Sequence, residues 1–194
     1  MKVLMVNGSR RENGCTYTAL TVIAEELKNA GIDSEILYVG LNAVNGNIDK
    51  VVAAAAEKMK EADGLVIGSP VYYASPTGEV MAFLDRLFSS APAEAFRLKP
   101  AATIASARRA GTTATLDTLN KYPMYAEMPI ISSRYWSMVH GNAPEDVMQD
   151  AEGLQIMRTI GRNMAWVLKN IEAGKQAGVA MPEEDAKIMT NFIR

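Results

Sequence analysis

Hydrophobic and polar positions change period repeatedly along this chain. Short apolar runs alternate with longer stretches in which apolar residues recur every three or four positions, the marks of buried strands and one-sided helices. Lys2–Asn7 predicts a strand, and Thr16–Ala30 a helix with Leu20, Ile23, Ala24 and Leu27 on one face and Gly31 as its stop. Ser34–Val39 predicts a second strand, Ile48–Ala62 an alanine-rich helix, and Gly64–Gly68 a third strand. Glu79–Ser89 predicts a helix through Val80, Phe83, Leu84 and Leu87, at i, i+3, i+4, i+7 spacing. Ala101–Ser106 and Thr112–Lys121 continue as strand and helix, Pro129–Ser132 as a shorter fifth strand, and Gly153–Ala173 as a long last helix.

Apolar strands separated by helices imply parallel pairing, with helices on both faces. Five of them predict an α/β fold, the flavodoxin-like doubly wound five-stranded parallel sheet of order 2-1-3-4-5. Its ligand crevice lies at the strand 1/strand 3 switch point. Residues 1–174 are expected to form this domain and residues 175–194 a C-terminal arm. The arm carries Met181, Ile188, Met189, Phe192 and Ile193, and two readings stay open: a helical arm packed on a neighbouring subunit, or a frayed end. Ser133–Asp150 is long for a connection, which in a compact domain points to function.

Composition narrows the picture only in part. The 194 residues, 48% hydrophobic and 22% charged, suit one domain with a sizeable core. A formal charge of −2 gives no sign of a nucleic-acid surface. The single cysteine forms no intrachain disulfide, and no paired metal-ligand spacing is present, so no metal is expected. Met1-Lys2 leads straight into a strand, and no apolar run approaches the roughly 20 residues of a membrane span. A cytoplasmic protein without membrane partners is the default expectation.

The chemistry sits in the loops after strands 1, 3 and 4. Asn7-Gly8-Ser9-Arg10-Arg11-Glu12-Asn13-Gly14-Cys15-Thr16 offers glycines for a tight backbone, the hydroxyls of Ser9 and Thr16, and two cations. Placed between strand and helix, it aims N–H groups and a helix dipole at one spot, which suits a phosphate. The spacing matches neither the dinucleotide fingerprint nor the Walker loop, and the hydroxyls suit the terminal phosphate of a mononucleotide such as FMN. Without a ligand it reads as an ordinary connection with Thr16 as helix cap.

Ser69-Pro70-Val71-Tyr72-Tyr73-Ala74-Ser75-Pro76-Thr77-Gly78 supplies a stiff, partly apolar wall for a planar ring, with Ser75 or Thr77 capping the next helix. Tyr72 and Tyr73 could equally only cover the sheet end. In Ser106-Ala107-Arg108-Arg109-Ala110-Gly111-Thr112-Thr113, small residues let backbone approach a ligand, and Thr112 or Thr113 can cap a helix. The arginine pair suits negative charge on a reduced flavin or the phosphates of a nicotinamide nucleotide, at least one of the two being a solvated surface group.

With these loops, Phe83-Leu84-Asp85-Arg86-Leu87 and Tyr135-Trp136-Ser137-Met138-Val139-His140-Gly141 in view, the chain resembles the NAD(P)H-dependent FMN reductase family, nearest its iron–sulfur flavoprotein branch. The resemblance implies that Ser9, Arg11, Asn13, Cys15 and Thr16 surround the FMN phosphate, Cys15 standing where Asn is usual. It implies Pro70, Val71, Tyr72, Tyr73 and Ser75 along the flavin and ribityl chain, and Ala107, Arg108 and Gly111 at the far ring edge. Iron–sulfur relatives place cysteines after strand 2, where this chain reads Gly40-Leu41-Asn42-Ala43-Val44-Asn45-Gly46-Asn47, so a cluster-free member is expected.

The resulting expectation is an FMN-dependent enzyme passing hydride from NADPH or NADH to a small-molecule acceptor such as a quinone, flavin or azo compound. A homodimer or homotetramer is implied, with Tyr135 and Trp136 over a neighbour's flavin. His140, the only histidine, is a weak candidate proton donor and more ordinarily a structural residue. The rivals are a flavodoxin-like one-electron carrier and a flavin-free binding module on the same fold. Carriers surround FMN with acid, whereas arginines 10, 11, 108 and 109 are expected around this crevice.

Overall fold

A computed structural model describes residues 1–192. The elements are β1 (Lys2–Asn7), α1 (Cys15–Asn29), β2 (Asp33–Tyr38), α2 (Ile48–Glu61), β3 (Gly64–Pro70), α3 (Gly78–Ser90), β4 (Ala101–Ala107), α4 (Thr112–Tyr125), β5 (Met138–His140), α5 (Pro144–Val147) and α6 (Ala151–Gln176). All strand pairings are parallel, in the order β2-β1-β3-β4-β5, as the alternation of elements requires.

Side chains alternate across the sheet, so each strand serves two cores. Val3 and Met5 of β1 join Leu20, Ile23, Ile160 and Met164 beneath α1 and α6. Leu4 and Val6 join Phe83, Leu84, Leu87 and Phe96 on the side of α2 and α3. The edge strand β2 is only half-buried, and its Glu35 is held by Lys58 at 2.5 Å and Lys2 at 3.1 Å.

The fifth strand departs from expectation. Pro129–Ser132 forms no strand of its own; Ile130 makes one isolated parallel bridge to Ala101. The Ala101 amide donates to Pro129 O at 2.8 Å, and Ile131 donates to Ala101 O at 2.7 Å. The chain then bulges outward through residues 132–137 and returns as β5, which pairs with Ala105–Ala107. Proline at 129 offers no donor of its own, and the bulge breaks the edge into two pieces. The apolar signal of Met138-Val139 is only two residues long, and it lay inside what reads as a loop.

Helix caps differ as well. Gly14, not Thr16, is the cap of α1, and Gly111 caps α4 without help from the Thr112 or Thr113 side chains. Thr77 does cap α3, accepting from Val80 N at 3.2 Å. Gly31, at φ +78°, closes α1 as expected. Residues 177–192 contain no helix, so the helical form of the arm is not seen; Ile193 lies outside the described residues. No helix among the described residues is long and apolar enough to cross a membrane.

Candidate functional site

The loop after β1 is held from several elements. Asn7, fully buried, accepts from Ser9 N at 3.1 Å and donates from its amide to Glu12 O at 2.8 Å. Gly8 N donates to Gly68 O at 2.9 Å, and Thr77 Oγ1 donates to Gly8 O at 2.9 Å. A Cβ at Gly8 would lie 2.7 Å from Val80 Cβ, so only glycine lets the loop approach α3 this closely. From β2, Tyr38 Oη donates to Arg10 O at 2.8 Å.

So clamped, the loop delivers an open helix start. Gly14 places no side-chain cap on α1, and the first turn contains no acid. The leading N–H groups of a helix have no partners within it, and its N-terminal partial charge is positive. Ser9 Oγ accepts from Arg11 N at 3.1 Å, which leaves its proton free to donate. Thr16 and Ser106 share a buried hydroxyl–hydroxyl hydrogen bond at 2.8 Å, tying α1 to the end of β4.

These groups open onto a cleft of about 180 Å³ at the C-terminal edge of the sheet. Of the residues expected at a cofactor, Ser9, Arg11, Cys15, Thr16, Pro70, Val71, Tyr72, Ala107 and Arg108 line it together. Asn13, Tyr73, Ser75 and Gly111 do not. Asn13 and Ser75 are exposed, and Tyr73 projects fully into solvent. Gly111, at φ +102°, backs the cleft instead: a Cβ there would come within 2.8 Å of Ala74 Cα and of Val71 Cγ1.

Ser106, Gly141 and Asn142 also line the cleft, beyond the residues expected there. The Gly-Asn pair at a strand end was the available signal for the last two. Asp146 holds that turn by accepting from Asn142 N at 2.9 Å and Ala143 N at 3.0 Å. Cys15 Sγ donates to Gly141 O at 3.6 Å. Burial pushes the Cys15 thiol above its ordinary value, so it is a neutral, weakly reactive group at neutral pH.

The second loop is strained. Tyr72 and Ser75 exchange two backbone hydrogen bonds of 2.9 and 3.0 Å around Tyr73 (φ +52°) and Ala74 (φ +57°). Two consecutive non-glycine residues in the left-handed region cost about 1–2 kcal/mol each, and such strain collects at functional loops. Ser69 Oγ braces the loop, accepting from Thr77 N at 3.1 Å and donating to Pro70 O at 2.8 Å.

The four arginines divide. Arg11 and Arg108 line the cleft; Arg109 is exposed and outside the lining, and Arg10 turns to Glu79, a nearly buried carboxylate 2.6 Å away. Among the described residues, no carboxylate lines the cleft. His140 is also outside its lining: it is exposed, its backbone N–H donates to Asp150 Oδ2 at 2.7 Å, and its ring Nδ1 lies 3.8 Å from the same oxygen. Asp150 caps α6 through Gly153 N at 2.9 Å, so this pair orders the β5–α6 connection.

A doubly wound parallel sheet with an uncapped helix start, a free hydroxyl donor and two cations at its switch point defines an α/β protein built to hold a nucleotide phosphate. The chain belongs to the NADPH-dependent FMN reductase family, whose model matches residues 1–143. It is 28% identical over 203 residues to an iron–sulfur flavoprotein of Methanocaldococcus jannaschii, covering 89% of this chain and 100% of the relative. An iron–sulfur flavoprotein of Archaeoglobus fulgidus is 37% identical over 98 residues, 44% of this chain and 48% of the relative. The fold is shared with a flavone reductase (TM-score 0.70, 20% identity, 89% of this chain and 64% of that one). It is shared also with an archaeal flavodoxin (TM-score 0.63, 17% identity, 87% and 99%). The protein is thus a flavodoxin-like FMN oxidoreductase.

The residues present fit FMN at its phosphate end: the amides of α1, Ser9 Oγ and Arg11 form a cradle for a dianion. They do not fit a cysteine-ligated cluster. Cys15 is the sole cysteine, and a Cβ at Gly40 would lie 2.2 Å from Ser9 O and 2.4 Å from the Tyr38 ring. The segment after β2 is thus packed against the phosphate loop with no room for a thiolate at its start.

Proposed function

We propose that this protein is an FMN-dependent NAD(P)H oxidoreductase that passes reducing equivalents from a nicotinamide nucleotide to a small acceptor of the quinone, flavin or azo type, and that it works as a homo-oligomer. The observation that carries this reading is the charge of the cleft lining, which among the described residues holds two arginines and an uncapped helix start but no carboxylate, Glu145 and Asp146 lying behind Cys15.

FMN, when bound, supplies the redox chemistry. The chain's own residues supply binding, orientation and charge. Ser9 and the α1 amides hold the phosphate, with Arg11 neutralising it. Pro70, Val71 and Tyr72 form the apolar wall, and Ala107 lets the β4 end approach a ligand closely. Arg108 sets a cation at the cleft mouth, where it favours anionic ligands and a reduced, negatively charged cofactor. The cleft of about 180 Å³ is smaller than the roughly 300–1,000 Å³ of ordinary ligand sites. It accommodates a phosphate and polyol, so a planar ring and its partners would rest on the open rim, and an oligomer would cover them.

Purified protein loaded with FMN and mixed anaerobically with NADPH or NADH tests the reading. Bleaching of the flavin's visible absorbance, reversed by an added quinone, is the expected result. Failure of both nicotinamides with FMN bound would favour the one-electron carrier, and failure to bind FMN would sink both readings.

A further inference from the structure

The turn after β5 reaches the same cleft as the loops after β1, β3 and β4. Gly141 N donates to Ala107 O at 3.0 Å, so the chain leaves the sheet beside the end of β4. There it passes close over α5. A Cβ at Gly141 would lie 2.8 Å from Val147 N, and Val147 is fully buried. Asp146 closes the turn, its Oδ2 accepting from the Asn142 and Ala143 amides at 2.9 and 3.0 Å. The backbone of residues 141–143 is thus fixed both from the sheet and from α5.

Held in this way, the turn presents two successive carbonyls to the phosphate loop. Gly141 O accepts from Cys15 Sγ at 3.6 Å, and Asn142 O accepts from Arg11 Nη1 at 3.4 Å. A guanidinium carries several N–H donors in a fixed fork, so this tether orients Arg11 and leaves most of its donors for a ligand. The Asn142 side chain is exposed at the cleft, and its carboxamide has no hydrogen-bond partner among the described residues. Thr16 and Ser106, in contrast, are bonded to each other.

The chemistry of that free carboxamide selects the group it can hold. It donates and accepts at once. A phosphate dianion can use only the donor, and the carboxamide oxygen would face its charge. A hydroxyl uses both. In FMN the polyol hydroxyls stand next to the phosphate, and the cleft has room for phosphate and polyol while the planar ring lies on the rim. We propose that Asn142 reads the polyol: its carboxamide hydrogen-bonds a hydroxyl beside the phosphate, and Asp146, outside the lining, is the positioning residue that sets both Asn142 and Arg11. The assignment rests on the FMN part of the proposed function and adds a fourth loop to the site. It makes the cleft selective for phosphorylated polyols over phosphate alone.

Isothermal titration of the full chain with FMN, with ribitol 5-phosphate and with inorganic phosphate tests this. Asn142→Ala is expected to weaken FMN and ribitol 5-phosphate alike, by roughly twofold to tenfold, the range of one neutral hydrogen bond. Its affinity for inorganic phosphate is expected to be unchanged. Asp146→Ala is expected to weaken all three ligands. Once Arg11→Ala is present, Asp146→Ala is expected to cost nothing further for inorganic phosphate, because groups that act through one another are not additive. Equal affinity of the native chain and Asn142→Ala for ribitol 5-phosphate would overturn the assignment, as would a matching loss for inorganic phosphate. An Asp146→Ala effect that adds in full to that of Arg11→Ala would overturn the positioning role. Native protein that binds ribitol 5-phosphate through Asn142 but does not bind FMN would overturn the flavin reading alone.

Discussion

The hydroxyls of Thr16 and Ser106 lie 2.8 Å apart, both buried, and join the first turn of α1 to the C-terminal end of β4. One hydrogen bond thus ties the phosphate loop to the loop that bears Arg108. It also means that Thr16, a hydroxyl the sequence offers to a phosphate, already has a protein partner, whereas Ser9 accepts from an amide and retains a free proton.

The two hydroxyls are therefore separable. Ser9→Ala is expected to weaken FMN binding about tenfold to a hundredfold, since hydrogen bonds to charged groups are worth about 1.5–3 kcal/mol. Thr16→Val is expected to cost about 1–3 kcal/mol of folding stability by stranding Ser106, with a smaller effect on FMN. Flavin fluorescence titration and urea unfolding distinguish the two.

Arginine substitutions should separate in the same manner. Arg11→Ala and Arg108→Ala are expected to weaken FMN binding, Arg11 more, and both effects should shrink as salt rises. Arg109→Ala is expected to leave affinity unchanged. Arg10→Ala should register in stability, because it strands Glu79, whose side chain is 9% exposed. Isothermal titration at two salt concentrations, with thermal unfolding, checks all four.

Gly111→Ala is expected to destabilise by at least about 1–2 kcal/mol, the cost of a left-handed alanine, because φ there is +102°. The added methyl also meets the Ala74 backbone, so the Tyr72–Ser75 turn must move and FMN affinity should fall with stability. Gly31→Ala supplies the control: φ is +78° but nothing lies within 4 Å, so stability alone should drop.

Acid should weaken the β2 edge. The hydrogen bond from Lys58, with Lys2 adding, holds the Glu35 carboxyl below its ordinary value of 4.5. A carboxyl depressed by folding stabilises above its unfolded value and loses that contribution as pH falls through the folded one. Urea unfolding is expected to show stability declining below about pH 4.5, and Glu35→Gln should flatten part of that slope. At high salt the difference should diminish, since the side chain is one-third exposed.

Much of this molecule is legible in its residues. Five apolar runs, five helical stretches and their alternation dictate a parallel doubly wound sheet, because period and burial are local consequences of side-chain chemistry. The loop from Gly8 to Thr16 is readable as a phosphate cradle for the same reason: glycine, hydroxyl and cation within one turn have few other uses. Nine of the expected cofactor residues meet in one cleft, since the topology itself gathers the loops after strands 1, 3 and 4.

What the residues alone left undecided depends on neighbours distant in the chain. Pro129–Ser132 and Met138–His140 compete for one sheet edge, and the pairing partners on β4 settle which piece forms the strand. Arg10 and Arg11 are adjacent and identical, yet Glu79 draws one away while the other faces the cleft. Thr16 is taken by Ser106, ninety positions later. Local sequence determines which groups are available to the site; only tertiary packing decides which of them remain unpaired, and an unpaired group is what a ligand can use.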